Sequence, residues 1–136
     1  MAASRIIRSL VLDASALSAA SDENSLLRFQ VRKAADRGAR LYTTSATLAE
    51  VLRGKPRDAK TNQFLSAIDI QVVDEKIGRG AGTRIGQASN RGNVTIDAIV
   101  VEVASRLPKP VAIMTSDFKD INGLADPGMM ILDLAN

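Results

Sequence analysis

Four acids of this chain, Asp13, Glu50, Asp97 and Asp117, fall where an apolar, β-branched run gives way to a helical pattern, or within a helix that flanks such a run. Singly, each has an ordinary reading. Asp13 and Asp117 suit helix caps, Asp97 suits the first turn of a helix, and Glu50 suits a solvated helix face. Together they read differently, because neighbouring carboxylates repel and are costly to gather without a cation. Such a cluster implies a metal. A divalent ion held by carboxylates lowers the pKa of bound water, polarises a phosphoryl oxygen and stabilises a leaving oxyanion. Phosphodiester hydrolysis is the reaction class that needs this equipment and no covalent nucleophile. On this reading Asp13, Asp97 and Asp117 are the ligands, while Glu50 either joins them or orients the attacking water.

The absences narrow the chemistry further. The chain has no His and no Cys. Without Cys there is no disulfide, thiol nucleophile or thiolate metal site. Without His there is no imidazole base, which excludes Ser-His-Asp hydrolysis, and zinc sites lose their usual ligands. Carboxylates remain, and they favour a hard cation such as Mg²⁺ or Mn²⁺. The formal net charge is +3. Setting four acids aside in one pocket leaves a more basic body around it, which suits a polyanionic substrate. With aromatics at only 3% of residues, a base-stacking platform has little to be built from.

The elements that must position these acids follow from periodicity. Strands are expected at Ile6–Leu12, Arg40–Thr43, Ile70–Val73, Val111–Thr115 and Met130–Leu134. Between them lie helical patterns: a short one at Ser15–Ala20, and Glu23–Arg37 with Leu26, Leu27, Val31 and Ala34 along one face. Further helices are expected from Ser45 as cap to about Arg53, at Arg57–Ile68, at Glu75–Ser89, at Ile96–Leu107 with Thr95 as cap, and at Asp117–Leu124. The glycines at 78, 80, 82 and 86 either let their helix lie close to another backbone or loosen it. Asn90–Asn93 is a turn. Alternating strands and helices make an α/β fold with a parallel sheet, whose strands end along one edge where ligands bind. Asp13 and Asp117 meet there if the first and fourth strands are neighbours, as in the order 3-2-1-4-5. Nothing divides the 136 residues into more than one domain, 1–136. The run Ile6–Leu12 is broken by Arg8 and does not read as a signal peptide. No apolar run approaches the roughly 18 residues of a membrane span. A cytoplasmic protein with no membrane partner is expected.

Four segments carry a family resemblance: VLDASAL (11–17), LAEVLRG (48–54), TIDAIVVEVA (95–104) and TSDFKDINGLA (115–125). In order and spacing they resemble the signature blocks of PIN-domain ribonucleases, above all the VapC-type toxins of VapBC toxin–antitoxin systems. The resemblance implies a PIN fold with a 3-2-1-4-5 sheet flanked by helices on both faces, and Mg²⁺- or Mn²⁺-dependent cleavage of RNA. It also implies homodimerisation and inhibition by a cognate VapB-type antitoxin. Carried over by position, the family acids correspond to Asp13, Glu50, Asp97 and Asp117, with Ser15, Ser116 and Asp120 as supporting positions. Two departures stand out. Val94 occupies a position that is acidic in some relatives, and the lead Met1–Arg5 is longer than in many such toxins.

Other acids have only structural readings: Asp22 and Glu23 as a helix start, Asp74 and Glu75 as caps, and Glu102 as part of a helix face. The basic stretch Arg53–Lys60 reads more as a solvated loop than as a guide for RNA phosphates. A receiver domain would need a second acid beside Asp13 and a Lys after the fifth strand, and a haloacid-dehalogenase-type phosphatase would need Asp where Ser15 stands. The rival that survives is a non-catalytic PIN-like module that binds RNA or protein, and metal titration separates it from the enzyme.

Overall fold

The structure, a computed structural model, describes residues 6–89 and 92–134. Its five strands are β1 (Ser9–Leu12), β2 (Arg40–Thr44), β3 (Asp69–Gln71), β4 (Val111–Thr115) and β5 (Met130–Asp133). They form one sheet of order β3-β2-β1-β4-β5 in which every pairing is parallel. The helices are α1 (Ala14–Ala20), α2 (Leu26–Asp36), α3 (Ser45–Val51), α4 (Ala59–Leu65), α5 (Glu75–Gln87), α6 (Thr95–Ser105) and α7 (Phe118–Leu124), with a 3-10 turn at Pro56–Asp58.

Alternation along the central strands builds two cores, because successive side chains leave a strand on opposite faces. Leu10 and Leu12 of β1, with Ala112 and Met114 of β4, pack against Leu17, Leu27, Val31, Phe64 and Leu65 of α1, α2 and α4. Val11 and Ile113 face the other way, onto Ala81, Ala98, Val101, Ile121 and Leu124 of α5, α6 and α7. With both faces covered, β1 and β4 are buried at every residue. That burial explains why Leu10–Leu12 and Val111–Met114 read as apolar runs. Register pairs Val11 with both Tyr42 and Ile113, and Leu12 with Met114, so β1 and β4 end side by side.

Several boundaries differ from the sequence expectation for identifiable reasons. β1 starts at Ser9, not Ile6: Pro110 accepts from the amides of Arg8 and Ser9 but has no N–H with which to extend the ladder. β3 stops at Gln71 because the Val73 amide turns to the Ser45 hydroxyl, leaving Val72 exposed. Thr44, not Ser45, caps α3 through the Thr47 amide. Thr95 is the first residue of α6 and not its cap, and its own amide bonds the Asn93 side chain. α2 begins at Leu26 under a Ser25 cap, and Leu26 lies 71% exposed instead of on the inward face.

The helix expected from Arg57 divides at Asp58. This buried carboxylate gathers the amides of Arg53, Gly54 and Lys55, and those bonds hold it below the usual carboxylate range. Of the α5 glycines only Gly80 is crowded: a Cβ there would fall 2.5 Å from the Glu102 carboxylate. The lead Met1–Arg5, and Asn90 and Arg91 of the expected turn, lie outside the described residues, while Gly92 takes a φ of 92° that favours glycine. No described helix is long and apolar enough to cross a membrane.

Candidate active site

The C-terminal edge of the sheet collects the acids. Asp13 follows β1 and caps α1, and its amide reaches the Met114 carbonyl of β4. Its carboxylate is buried and receives three donors. The Ser15 hydroxyl (2.7 Å) and the Ala16 amide (2.9 Å) reach Oδ1, and the Thr115 hydroxyl reaches Oδ2. Asp13 is therefore both cap and site residue, so the ordinary reading and the functional one are not exclusive.

Asp117 stands just past β4 at the start of α7, where its amide donates to Thr115 Oγ1 at 2.8 Å. Thr115 is thus a fully buried bridge, donating to Asp13 and accepting from Asp117. Sequence reasoning treated it as a strand residue. The signal was there in a hydroxyl at the last position of an otherwise apolar strand, two residues before an acid. Ser15 forms a second bridge, since its oxygen also accepts from the Ser116 amide at 3.0 Å. Ser116 contributes that amide, while its side chain is exposed.

Asp97 comes from the other core layer, in the first turn of α6. A carboxylate oxygen from each of Asp97, Asp117 and Asp120 lies within 4.8 Å of the other two. Asp120 sits three residues along α7 from Asp117, a spacing that puts both on one helix face. It is therefore more central than the supporting place the resemblance gave it. Asp13 stands slightly back from this trio yet still acts on it through its charge.

The electrostatics report the crowding. Desolvation first, then the charges of Asp117 and Asp13, push the Asp97 carboxyl up to about 7. Asp117 is also raised, by desolvation and by Asp120. Among the described residues no Lys or Arg forms an ion pair with Asp13, Asp97 or Asp117. Hard oxygen donors brought close together from separate elements fit Mg²⁺ or Mn²⁺.

Glu50 is not part of the trio. α3 starts at the end of β2, which puts Glu50 on the same edge, but the residue is exposed. Its backbone carbonyl accepts from Arg53, whose guanidinium also takes the carbonyls of Ala49 and Leu52. One of the basic residues in the stretch Arg53–Lys60 is therefore engaged in capping α3.

No family model and no curated protein matches the sequence. Solved structures do match. A chain of the VapBC2 complex of Rickettsia felis, crystallised on a fragment of its promoter DNA, superposes with a TM-score of 0.68 at 14% identity. The match covers 92% of this chain and 98% of that one. A chain of DNA-bound VapBC from Salmonella typhimurium gives 0.68 at 16% identity, over 93% and 98%. VapC20 of Mycobacterium tuberculosis, described as a toxin that cleaves the sarcin-ricin loop, gives 0.58 at 13% identity, over 81% and 92%. By fold, then, this chain is of the PIN type. The neighbours that define this likeness are VapC/PIN-domain toxins.

Proposed function

We propose that the chain, a single PIN domain over residues 1–136, is a metal-dependent endoribonuclease acting as the toxin of a type II toxin–antitoxin pair. One observation carries the reading: acids from β1, α6 and α7 converge at the C-terminal edge of a PIN-type sheet, and among the described residues no basic side chain pairs with Asp13, Asp97 or Asp117. A structural ion-pair network would contain its own counter-charge.

In this reading Asp13, Asp97 and Asp117 hold Mg²⁺ or Mn²⁺, with Asp120 beside them. The bound ion supplies Lewis acidity toward a phosphoryl oxygen and toward water. The chain's own residues do the positioning. Ser15 and Thr115 fix both oxygens of Asp13. Thr115 also sets the start of α7, and hence the place of Asp117. Glu50, on the same edge, reaches the site once substrate is present and orients the attacking water.

RNA is the proposed substrate, supported by the neighbour VapC20, which cleaves the sarcin-ricin loop, and by a net charge of +3 despite the clustered acids. A VapB-type antitoxin is the proposed inhibitor, supported by the VapBC neighbours. A homodimer in the cytoplasm completes the proposal. The direct test incubates the pure protein with structured RNAs in Mg²⁺, Mn²⁺ or EDTA. Cleavage in either metal that stops in EDTA supports the reading. Mn²⁺ binding without cleavage of any RNA would point to a binding module, and no Mn²⁺ binding would remove the metal site.

A further inference from the structure

Asp97 is on α6, and Asp117 and Asp120 are on α7, so the spacing of the trio depends on how these two helices sit together. Their acid-bearing ends repel each other. The counterweight lies further along both helices. Arg84 of α5, only 15% exposed, donates through Nε to Glu102 Oε1 of α6 at 2.8 Å. Its Nη1 reaches the Leu124 carbonyl, at the last residue of α7, at 3.1 Å. Its two terminal nitrogens take both oxygens of Asp126, at 2.8 and 3.2 Å. Glu102 lies five residues past Asp97, about 7.5 Å along the helix, and Leu124 lies four past Asp120, about 6 Å.

The rest of the arrangement locks this guanidinium in place. Arg106 saturates the other oxygen of Glu102. Gly80 leaves the space that the Glu102 carboxylate occupies, which any Cβ would fill. A planar guanidinium can span three acceptors at fixed angles, and an ammonium cannot. Arg84 is also the described side chain that bonds both α6 and the end of α7.

We infer that Arg84 is a positioning residue, clamping α6 to the end of α7 so that Asp97, Asp117 and Asp120 stay close enough to share one divalent cation. The inference rests on the metal-site reading above, and its first readout needs no metal. Because the chain has no Cys, Thr95→Cys and Lys119→Cys, both exposed, give a single pair of spin labels across the acid ends of the two helices. Pulsed dipolar spectroscopy then measures their separation in metal-free protein carrying Arg84 intact, Arg84→Lys or Asp126→Asn. Asp126→Asn is the milder variant, since Asp126 is about half exposed and Glu102 still holds Arg84.

In both variants the label distance should lengthen and broaden. In the unlabelled counterparts Mn²⁺ affinity should fall about tenfold or more, the loss typical of removing a residue that supports metal ligands. RNA cleavage should fall in step with occupancy and recover at high Mn²⁺, whereas a merely structural loss would not be rescued by metal. Arg79→Met, which breaks only the exposed Glu75–Arg79 pair on α5, should change none of these. If Asp126→Asn folds with unchanged label distance and unchanged Mn²⁺ affinity, the clamp is wrong. If the label distance responds but the parent protein binds no Mn²⁺, the clamp stands as a packing device, while the metal-site reading and the positioning role both fall.

Discussion

Helix α6 carries two carboxylates five residues apart that have opposite surroundings. Glu102, buried among α5, α6 and α7, meets Arg84 and Arg106, and Arg84 in turn meets Asp126. Asp97, half-buried, meets Asp117, Asp120 and the charge of Asp13. In the first cluster every negative charge faces a guanidinium, and Asp126 is held below the usual carboxylate range by Arg84. In the second, crowding raises Asp97 and Asp117. Each region joins a buried acid, Glu102 or Asp13, to more exposed ones, and among the described residues a guanidinium meets the first set but not Asp13, Asp97 or Asp117. A network with its own cations is complete as a piece of structure. Asp13, Asp97 and Asp117, which form no ion pair among the described residues, leave a place for a cation from outside.

Substitutions that remove charge should therefore act in opposite directions in the two clusters. The largest effect is expected around Asp97. If the proposed metal site holds, Asp97→Asn and Asp13→Asn each remove a charged ligand, and RNA cleavage should fall by about a hundredfold or more, beyond what removing a supporting residue costs. Metal affinity should fall with it. Cleavage at the parental rate by either variant would break the comparison at its functional end.

At the paired cluster the same kind of change should act on the fold. Glu102→Gln leaves Arg84 and Arg106 without their shared partner, and denaturant unfolding should show a loss of about 3 kcal/mol, as when one member of a buried ion pair is removed. An unchanged midpoint would mean that Glu102 is as solvated as the sequence reading supposed. Thr115→Val is expected to be intermediate in kind. It strips a donor from Asp13 and an acceptor from the Asp117 amide, lowering stability by about 1–3 kcal/mol. Mn²⁺ affinity should drop as well. A variant as stable and as tight for metal as the parent would remove Thr115 from the site.

The smallest effect is a drift with pH. In the folded chain Asp97 titrates near 7, above its unfolded value of 3.8. The folded state therefore binds the extra proton between those values, and stability falls as pH rises through that window. Metal-free protein should melt higher at pH 5 than at pH 8, by a modest amount because Asp97 is partly solvated. Asp58 and Asp126, both lowered, work in the opposite sense, but only in more acid solution. In Asp97→Asn the drift should flatten, and a drift of the same size in that variant would assign it to another group.

The same contrast separates what was legible in the sequence from what was not. The places of Asp13 and Asp117 after β1 and β4 could be read because these strands are buried on both faces and leave mostly apolar runs, while the strand order came with the family resemblance. Asp97 alone read as an ordinary acid of a helix first turn, and its joint placement with the other acids made it a candidate. Glu102 was not: an acid on a helix looks solvated until Arg84, 18 residues away, is brought onto it by the packing of α5, which Gly80 permits. Asp120 and Thr115 were undervalued for a related reason. Their importance comes from which neighbours α7 and β4 present, and periodicity does not encode that. Leu26 was assigned inward by spacing, yet the Ser25 cap sets the helix phase and leaves it outside.

The central claim, that Asp13, Asp97 and Asp117 hold a divalent cation, is tested most directly by thermal melts of the parent protein and Asp97→Asn, each in EDTA and in Mn²⁺. The parent should rise in Mn²⁺, by about 2.7 kcal/mol of stabilisation at a hundred times the dissociation constant. Asp97→Asn should match or exceed the parent in EDTA, because repulsion is relieved, and should gain far less from metal. A parent that Mn²⁺ does not stabilise, or an Asp97→Asn protein that melts lower in EDTA yet gains as much from Mn²⁺, would contradict the account.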